Sequence, residues 1–229
     1  MHLEWPEVPQ GAHVVQHTGF SLLFDSAHRQ ARWVAYVLTA DKTRGTEPRA
    51  SRFYPDPHLP GLTATDAHYR RSGYDRGHLA PAADMGWSAK SLRESFYYSN
   101  ISPQLPAFNR GIWKKLETLV RTWAQTGQVL YITTGPVLSD TLPQLNASDV
   151  RIPAYFFKAI LVYSDSQQQC IGFIMRNEKS SESPLAFAVS IDSLERFTGL
   201  NFFAALPDEK EEHLERNLCL SCWKVPSLR

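Results

Sequence analysis

The sequence predicts an α+β fold: a central, mainly antiparallel β-sheet with helices on its faces. Three observations carry that expectation. Short apolar or alternating runs recur at 20–24, 33–39, 128–134, 154–163 and 170–176, the signature of strands. Polar turns, 25–30 and 164–169, join two pairs of these runs, which therefore read as β-hairpins. One long stretch, 106–125, instead places Ile112, Leu116, Leu119 and Val120 at helical spacing, with Gly127 to end it.

The remaining elements follow in order. Residues 1–17 hold Pro6 and Pro9 and read as an irregular arm. Residues 41–65 form a long irregular segment with Pro48, Pro55, Pro57 and Pro60, and long loops of this kind inside compact domains are commonly functional. Residues 72–83 supply a strand and its exit turn, 88–96 a short helix, and 97–102 an extended return antiparallel to that strand. Residues 140–149 are loop, 185–191 a short strand, 193–198 a helix closed by Gly199, and 207–215 a charged helix whose acids read as a solvated face. No repeat, low-complexity tract or linker divides the chain, so 1–229 is expected to be a single domain.

Composition bounds the function. A chain of 229 residues buries roughly 70% of its unfolded surface and needs no staples. Apolar residues make up 43% and aromatic residues 12%, as in a soluble globular protein. The net charge of +1 excludes a bulk polycation, so nucleic-acid affinity has to come from a local patch. Arg49, Arg52, Arg70, Arg71 and Arg76, set against Asp56, Asp66 and Asp75, are such a patch. No run of 18 apolar residues exists, so no membrane span is expected. Structural zinc needs about four ligands, and beside Cys219 and Cys222 only Cys170 and His213 are left to help, so zinc is not the favoured reading. Either Cys170 pairs with one of them or all three are free thiols.

The most chemically loaded stretch is Ser72-Gly73-Tyr74-Asp75-Arg76-Gly77-His78-Leu79-Ala80-Pro81. On an extended backbone Arg76 and His78 share a face, and Gly77 between them leaves room for a ligand to approach. A guanidinium holds phosphate oxygens in a bidentate way, and a neighbouring imidazole moves a proton near neutral pH. The bland alternative is a surface strand with an Asp75–Arg76 ion pair and a structural histidine. A second stretch decides between them: Asn100-Ile101-Ser102-Pro103-Gln104, then Phe108 through Glu117, then Arg121.

Together these stretches resemble the DNA/RNA non-specific endonuclease family, the ββα-metal nucleases that include endonuclease G. That family's signature is Asp-Arg-Gly-His, then Asn-x-x-Pro-Gln, then Asn followed eight positions later by Glu. Here these are Asp75 to His78, Asn100 to Gln104, and Asn109 with Glu117. Upstream, Arg49, Phe53 and Asp56 match its Arg-x-x-x-Phe-x-x-Asp segment. Downstream, Tyr131 to Val137 is similar to its central strand and turn, and the likeness runs from about Phe20 to Phe203.

The resemblance implies a ββα-metal motif and a metal-dependent endonuclease that cuts DNA and RNA without sequence preference. His78 is then the general base, its ring oriented by a backbone carbonyl. Arg49 and Arg76 stabilise the pentavalent transition state, with Arg52 competing for the place of Arg49. Asn109 is the direct ligand of a magnesium ion, which manganese can replace, unless it only caps the helix. Eight residues along a helix advance about 12 Å, so Glu117 is assigned to the ion through a water. Arg121 is expected to contact phosphate while held by Glu117, and Asn100 to support the substrate site by hydrogen bonding. Phe108 and Trp113 are assigned to the core.

DNA and RNA are the expected partners, with no membrane; a homodimer or a protein inhibitor stays open. The start at Met1 does not read as a signal peptide. Because many members of the family are exported, a mature secreted or periplasmic fragment is expected, with the cytoplasm still open. Two rivals remain: a catalytically inactive nucleic-acid-binding module and a small-molecule phosphatase.

Overall fold

The computed structural model describes residues 2–223. Among the described residues nine strands form: β1 Val14–Gln16, β2 Ser21–Asp25, β3 Gln30–Leu38, β4 Asp75–His78, β5 Ile101–Gln104, β6 Leu130–Pro136, β7 Tyr155–Tyr163, β8 Gln168–Arg176 and β9 Ala188–Val189. Seven make one sheet in the order β1-β2-β3-β6-β7-β8-β9, every neighbouring pair antiparallel. β4 and β5 form a separate two-stranded ribbon. The helices are α1 Asp66–Tyr69, α2 Ala82–Met85, α3 Ala89–Ser95, α4 Lys114–Gln125, α5 Ile191–Thr198 and α6 Asp208–Arg216. No helix among the described residues is long and apolar enough to cross a membrane.

The sheet is covered on both faces, which is why β7 is nearly apolar throughout. Its residues alternate between two cores. Phe156, Ile160 and Val162 join Leu116, Val120 and Trp123 of α4 on one face. Phe157, Ala159 and Leu161 join Ile191 and Leu194 of α5, with Phe202 and Phe203, on the other. Lys158 keeps the parity of Phe156 and Ile160, so it points beneath α4, fully buried in an otherwise apolar strand.

Four expectations need correction. The arm at 1–17 is not wholly irregular: its end is the edge strand β1, and Leu3 and Trp5 join the second core. The strand expected at 185–191 is a 3-10 turn, Pro184–Phe187, followed by only two strand residues. The helix at 106–125 is two pieces, a wide π turn at Phe108–Trp113 leading into α4, with Gly111 kinked at φ −103° and ψ −111°. Cys219 and Cys222 are disulfide-bonded to each other, and Cys170 is free and buried. Cys219 stands just before the 3-10 turn Leu220–Trp223 that carries Cys222, with Cys222 N–H bonded to the Cys219 carbonyl at 3.1 Å, whereas the Cys170 thiol is bonded to the Leu214 carbonyl at 3.0 Å.

Candidate active site

A ribbon, a kinked helix and a loop converge on one cavity of about 590 Å³. Antiparallel pairing sets β4 against β5, with Gly77 opposite Ser102 and His78 opposite Ile101. Gly77 has a different use from the one expected. A side chain there would overlap the buried side chain of Gln104, so the glycine makes room for β5, not for a ligand. Asp75, at the start of β4, anchors the helix. It accepts from Asn109 Nδ2 at 2.9 Å and from Arg110 at 2.6 and 2.8 Å, and so does not pair with Arg76.

Asn100 is fully buried and does not line the cavity, so the expected substrate contact is corrected to an internal role. Its amide accepts from Ala80 N–H at 2.8 Å and donates to the carbonyls of Ala80 and Ser95, each at 2.9 Å. These bonds fix the turn by which the chain leaves β4 after His78. Asp56 acts similarly for the irregular loop, accepting from His17 at 2.9 Å and from Ser99 at 2.5 Å. Gly45 lies so close to the backbone of Gly86 that any side chain would collide, and Glu47 N–H bonds the Gly86 carbonyl at 3.2 Å. The loop is thereby pinned a few residues before Arg49.

Arg49, Arg76, His78, Asn109, Glu117 and Arg121 all face the cavity. Arg52 is exposed and outside it, which corrects its candidacy and leaves Arg49. Arg76 is held by Asp66 at 2.7 Å and the Tyr98 hydroxyl at 3.0 Å, and its guanidinium lies over the rings of Phe53 and Tyr69. Arg121 is paired with Asp84 at 2.9 Å, not with Glu117 as the spacing suggested. Asp84 also accepts from the Tyr36 hydroxyl at 3.1 Å.

His78 is 8% exposed and packs on Phe96 and Phe53. Burial, and then the Arg49 charge, push its pKa down to about 3. The ring is therefore neutral at physiological pH, the state a general base needs. The expected backbone carbonyl is not there: Nε2 is buried with no hydrogen-bond partner. Burial pushes the Glu117 carboxyl up while Lys158 pulls it down. Burial lowers Lys158, and Glu117 and Asp84 raise it. The Lys158 ammonium has no hydrogen-bond partner but lies 5.2 Å from the Trp113 ring and 5.7 Å from the Tyr36 ring. Neither Asp84 nor Lys158 was singled out from sequence. A lone lysine inside the apolar run Tyr155–Tyr163 was the signal available for the second.

The donor set fits a hard divalent cation. Asn109 spends its amide nitrogen on Asp75, which leaves Oδ1 free toward the cavity, and the Glu117 carboxylate lines the same wall. Oxygen donors in small number match magnesium, which keeps several waters and takes phosphate oxygens as well.

The family model for DNA/RNA non-specific endonucleases matches residues 6–209. The chain belongs to this family. Bovine endonuclease G, mitochondrial, is 36% identical over 213 residues, 85% of this chain and 70% of that protein. Nuclease EXOG, mitochondrial, from Xenopus laevis is 32% identical over 222 residues, 87% of this chain, which spans only 61% of that relative. The solved structure of an EndoG/EndoGI complex, titled for the mechanism of EndoG inhibition, superposes with a TM-score of 0.81 at 30% identity, covering 90% of each chain. The relatives' mitochondrial names overturn the expectation of a secreted or periplasmic fragment. Export was inferred from the family at large, and the endonuclease G and EXOG relatives carry a different address.

Proposed function

We propose that this family member is a metal-dependent endonuclease that hydrolyses phosphodiester bonds of DNA and RNA without sequence preference. The observation that carries the reading is a buried, neutral His78 opening into the same cavity as Arg49, Arg76, Asn109 and Glu117. In the reaction, a water oxygen bonds to phosphorus, its proton passes to His78, and the bond to the 3′ oxygen breaks. Arg49 and Arg76 hold the phosphate oxygens as their charge grows, and neither guanidinium titrates away. Asp66 and Tyr98 keep Arg76 in place. Asn109 directly, and Glu117 through water, would hold magnesium or manganese, which when bound neutralises phosphate charge and stabilises the leaving 3′ oxygen.

Contacts to phosphate rather than base edges support weak sequence preference. The relatives' names support a mitochondrial compartment, and the inhibitor complex of the similar structure supports a protein inhibitor as a partner. Plasmid nicking with and without EDTA, repeated on RNA and on a chromogenic phosphomonoester, tests the reading. Metal-dependent cleavage of both nucleic acids, weakening as salt rises, is expected. Turnover of the monoester alone would give the site to a phosphatase, and binding without cleavage would make it a recognition module.

A further inference from the structure

On the sheet face opposite α4, four carboxylates meet with no cation among them. Asp192 and Glu195 stand three residues apart on α5, and Glu211 and Glu215 four apart on α6, so each pair shares one side of its helix. One carboxylate oxygen each from Asp192, Glu195 and Glu215 lies within 4.8 Å of the other two. Glu215 is only 5% exposed, and its Oε1 has no hydrogen-bond partner. Oε1 of Glu211 is likewise buried and unpartnered.

The nearby bases turn elsewhere. Arg196 donates to Ser193 at 2.9 Å, Lys210 to the Tyr163 hydroxyl at 3.2 Å, and Arg216 to Glu212 at 2.9 Å. Among the described residues no salt bridge reaches Asp192, Glu195, Glu211 or Glu215. Burial, then Glu195, Glu211 and Asp192, push the Glu215 carboxyl up to about 9. A buried acid among acids is costly unless something positive joins it.

The donors are oxygens. Cys170 lies beside the cluster, but its thiol bonds the Leu214 carbonyl at 3.0 Å, and burial raises its pKa to about 12, so it is no thiolate ligand. Oxygen donors select hard cations. Three carboxylates whose oxygens lie within 4.8 Å of one another suit calcium, which gathers several carboxylates in flexible geometry, better than magnesium, which is usually held by one or two.

We propose that Asp192, Glu195 and Glu215 form a second, structural divalent-cation site, for calcium, that bolts α6 onto α5. Its purpose follows from where α6 leads. Beyond it, Trp223 packs on Trp123 of α4 with ring centroids 4.6 Å apart, and Trp123 Nε1 donates to the Trp223 carbonyl at 2.9 Å. Securing α6 secures the segment that covers the far end of the helix carrying Glu117.

Thermal unfolding of the chelator-stripped full chain, with calcium alone added back, tests the site. At a hundredfold excess over Kd, calcium should raise Tm by roughly 5–10 °C. The rise should persist in Asn109→Ala, whose change lies in the other cavity, and vanish in Glu215→Gln and in Asp192→Asn. Glu215→Gln should still nick plasmid DNA in magnesium at the wild-type rate. Absence of any calcium-dependent rise at millimolar calcium overturns the proposal, because the cluster is then satisfied by protons. So does a rise that Glu215→Gln and Asp192→Asn retain.

Discussion

Under α4, Asp84, Glu117, Arg121 and Lys158 bring two acids and two bases together. Between α5 and α6, Asp192, Glu195, Glu211 and Glu215 bring four acids and no base. The two clusters sit on opposite faces of one sheet. In the first, Arg121 answers Asp84 at 2.9 Å, and Lys158 lies in the field of both acids with aromatic rings around it. Its charges are offset inside the protein, so the site can keep ionised groups out of water. In the second, no lysine or arginine among the described residues pairs with them, and Glu195 has only the Phe202 backbone N–H, which it accepts at 2.7 Å. The comparison separates charge that the fold has already compensated from charge that calls for a ligand.

The largest effect should come from the compensated side. His78→Ala should slow cleavage by roughly 10²–10⁴ with the fold intact, measured as single-turnover nicking beside a circular dichroism melt. A mutant that cuts at the wild-type rate would move the general base elsewhere.

Next is the balance itself. Lys158→Met removes one sign from the cluster beneath α4 and should cost roughly 3–5 kcal/mol, the usual loss when a buried charge pair loses one partner. Glu215→Gln, in chelator, should cost nothing or stabilise, because the raised pKa leaves the buried acid protonated at neutral pH and Gln is its neutral isostere. Urea denaturation of both measures the contrast. A neutral Lys158→Met would mean that the amine carries no needed charge, and the distinction between the clusters would fail.

How far the sequence disclosed each cluster follows from the same contrast. The strand periodicity predicted five of the nine strands described near their places, because apolar alternation is written locally. The motifs named Arg49, Arg76, His78, Asn109, Glu117 and Arg121, all of which line one cavity. Compensation was not legible. The partner of Arg121 is Asp84, 37 positions earlier, while Glu117 at the favoured helical spacing is not its partner. The run Pro207–Glu215 read as a solvated face, yet Glu215 is buried, because helix–helix docking decides which side of a polar helix meets water. The kink at Gly111 was equally hidden, since the apolar stripe continues across it.

That kink bears on the third prediction. A straight α-helix would separate Asn109 from Glu117 by about 12 Å, but the π turn and Gly111 interrupt that ruler. Asn109→Ala should abolish manganese binding. Glu117→Gln should retain it with about a 10–100-fold loss in affinity or activity. Calorimetric titration of both mutants decides this. Equal loss in both would show that the kink brings Glu117 directly onto the ion.

The last effect is a pH slope, to which His78 and Glu215 give opposite signs. His78, faced by the Arg49 charge and by Phe53 and Phe96, has a folded pKa of about 3 against an ordinary value of about 6.5. Between those values the unfolded chain binds a proton that the folded chain refuses. Stability therefore rises with pH across the window and is lost as pH falls through it. Glu215, raised to about 9 from about 4.3, does the reverse in chelator: the folded chain holds the extra proton, so stability present below about 4.3 is lost as pH rises through 9. Urea midpoints of His78→Ala should show a flatter profile between about pH 3 and 6.5 than the wild type. Those of Glu215→Gln should show a flatter one between about pH 4.3 and 9. His78→Ala should leave the alkaline side unchanged, since its imidazole is neutral in both states there. A mutant profile parallel to wild type in its own window would mean that the side chain titrates alike folded and unfolded, and that its surroundings are wetter than the packing of Phe96 or of α5 on α6 allows.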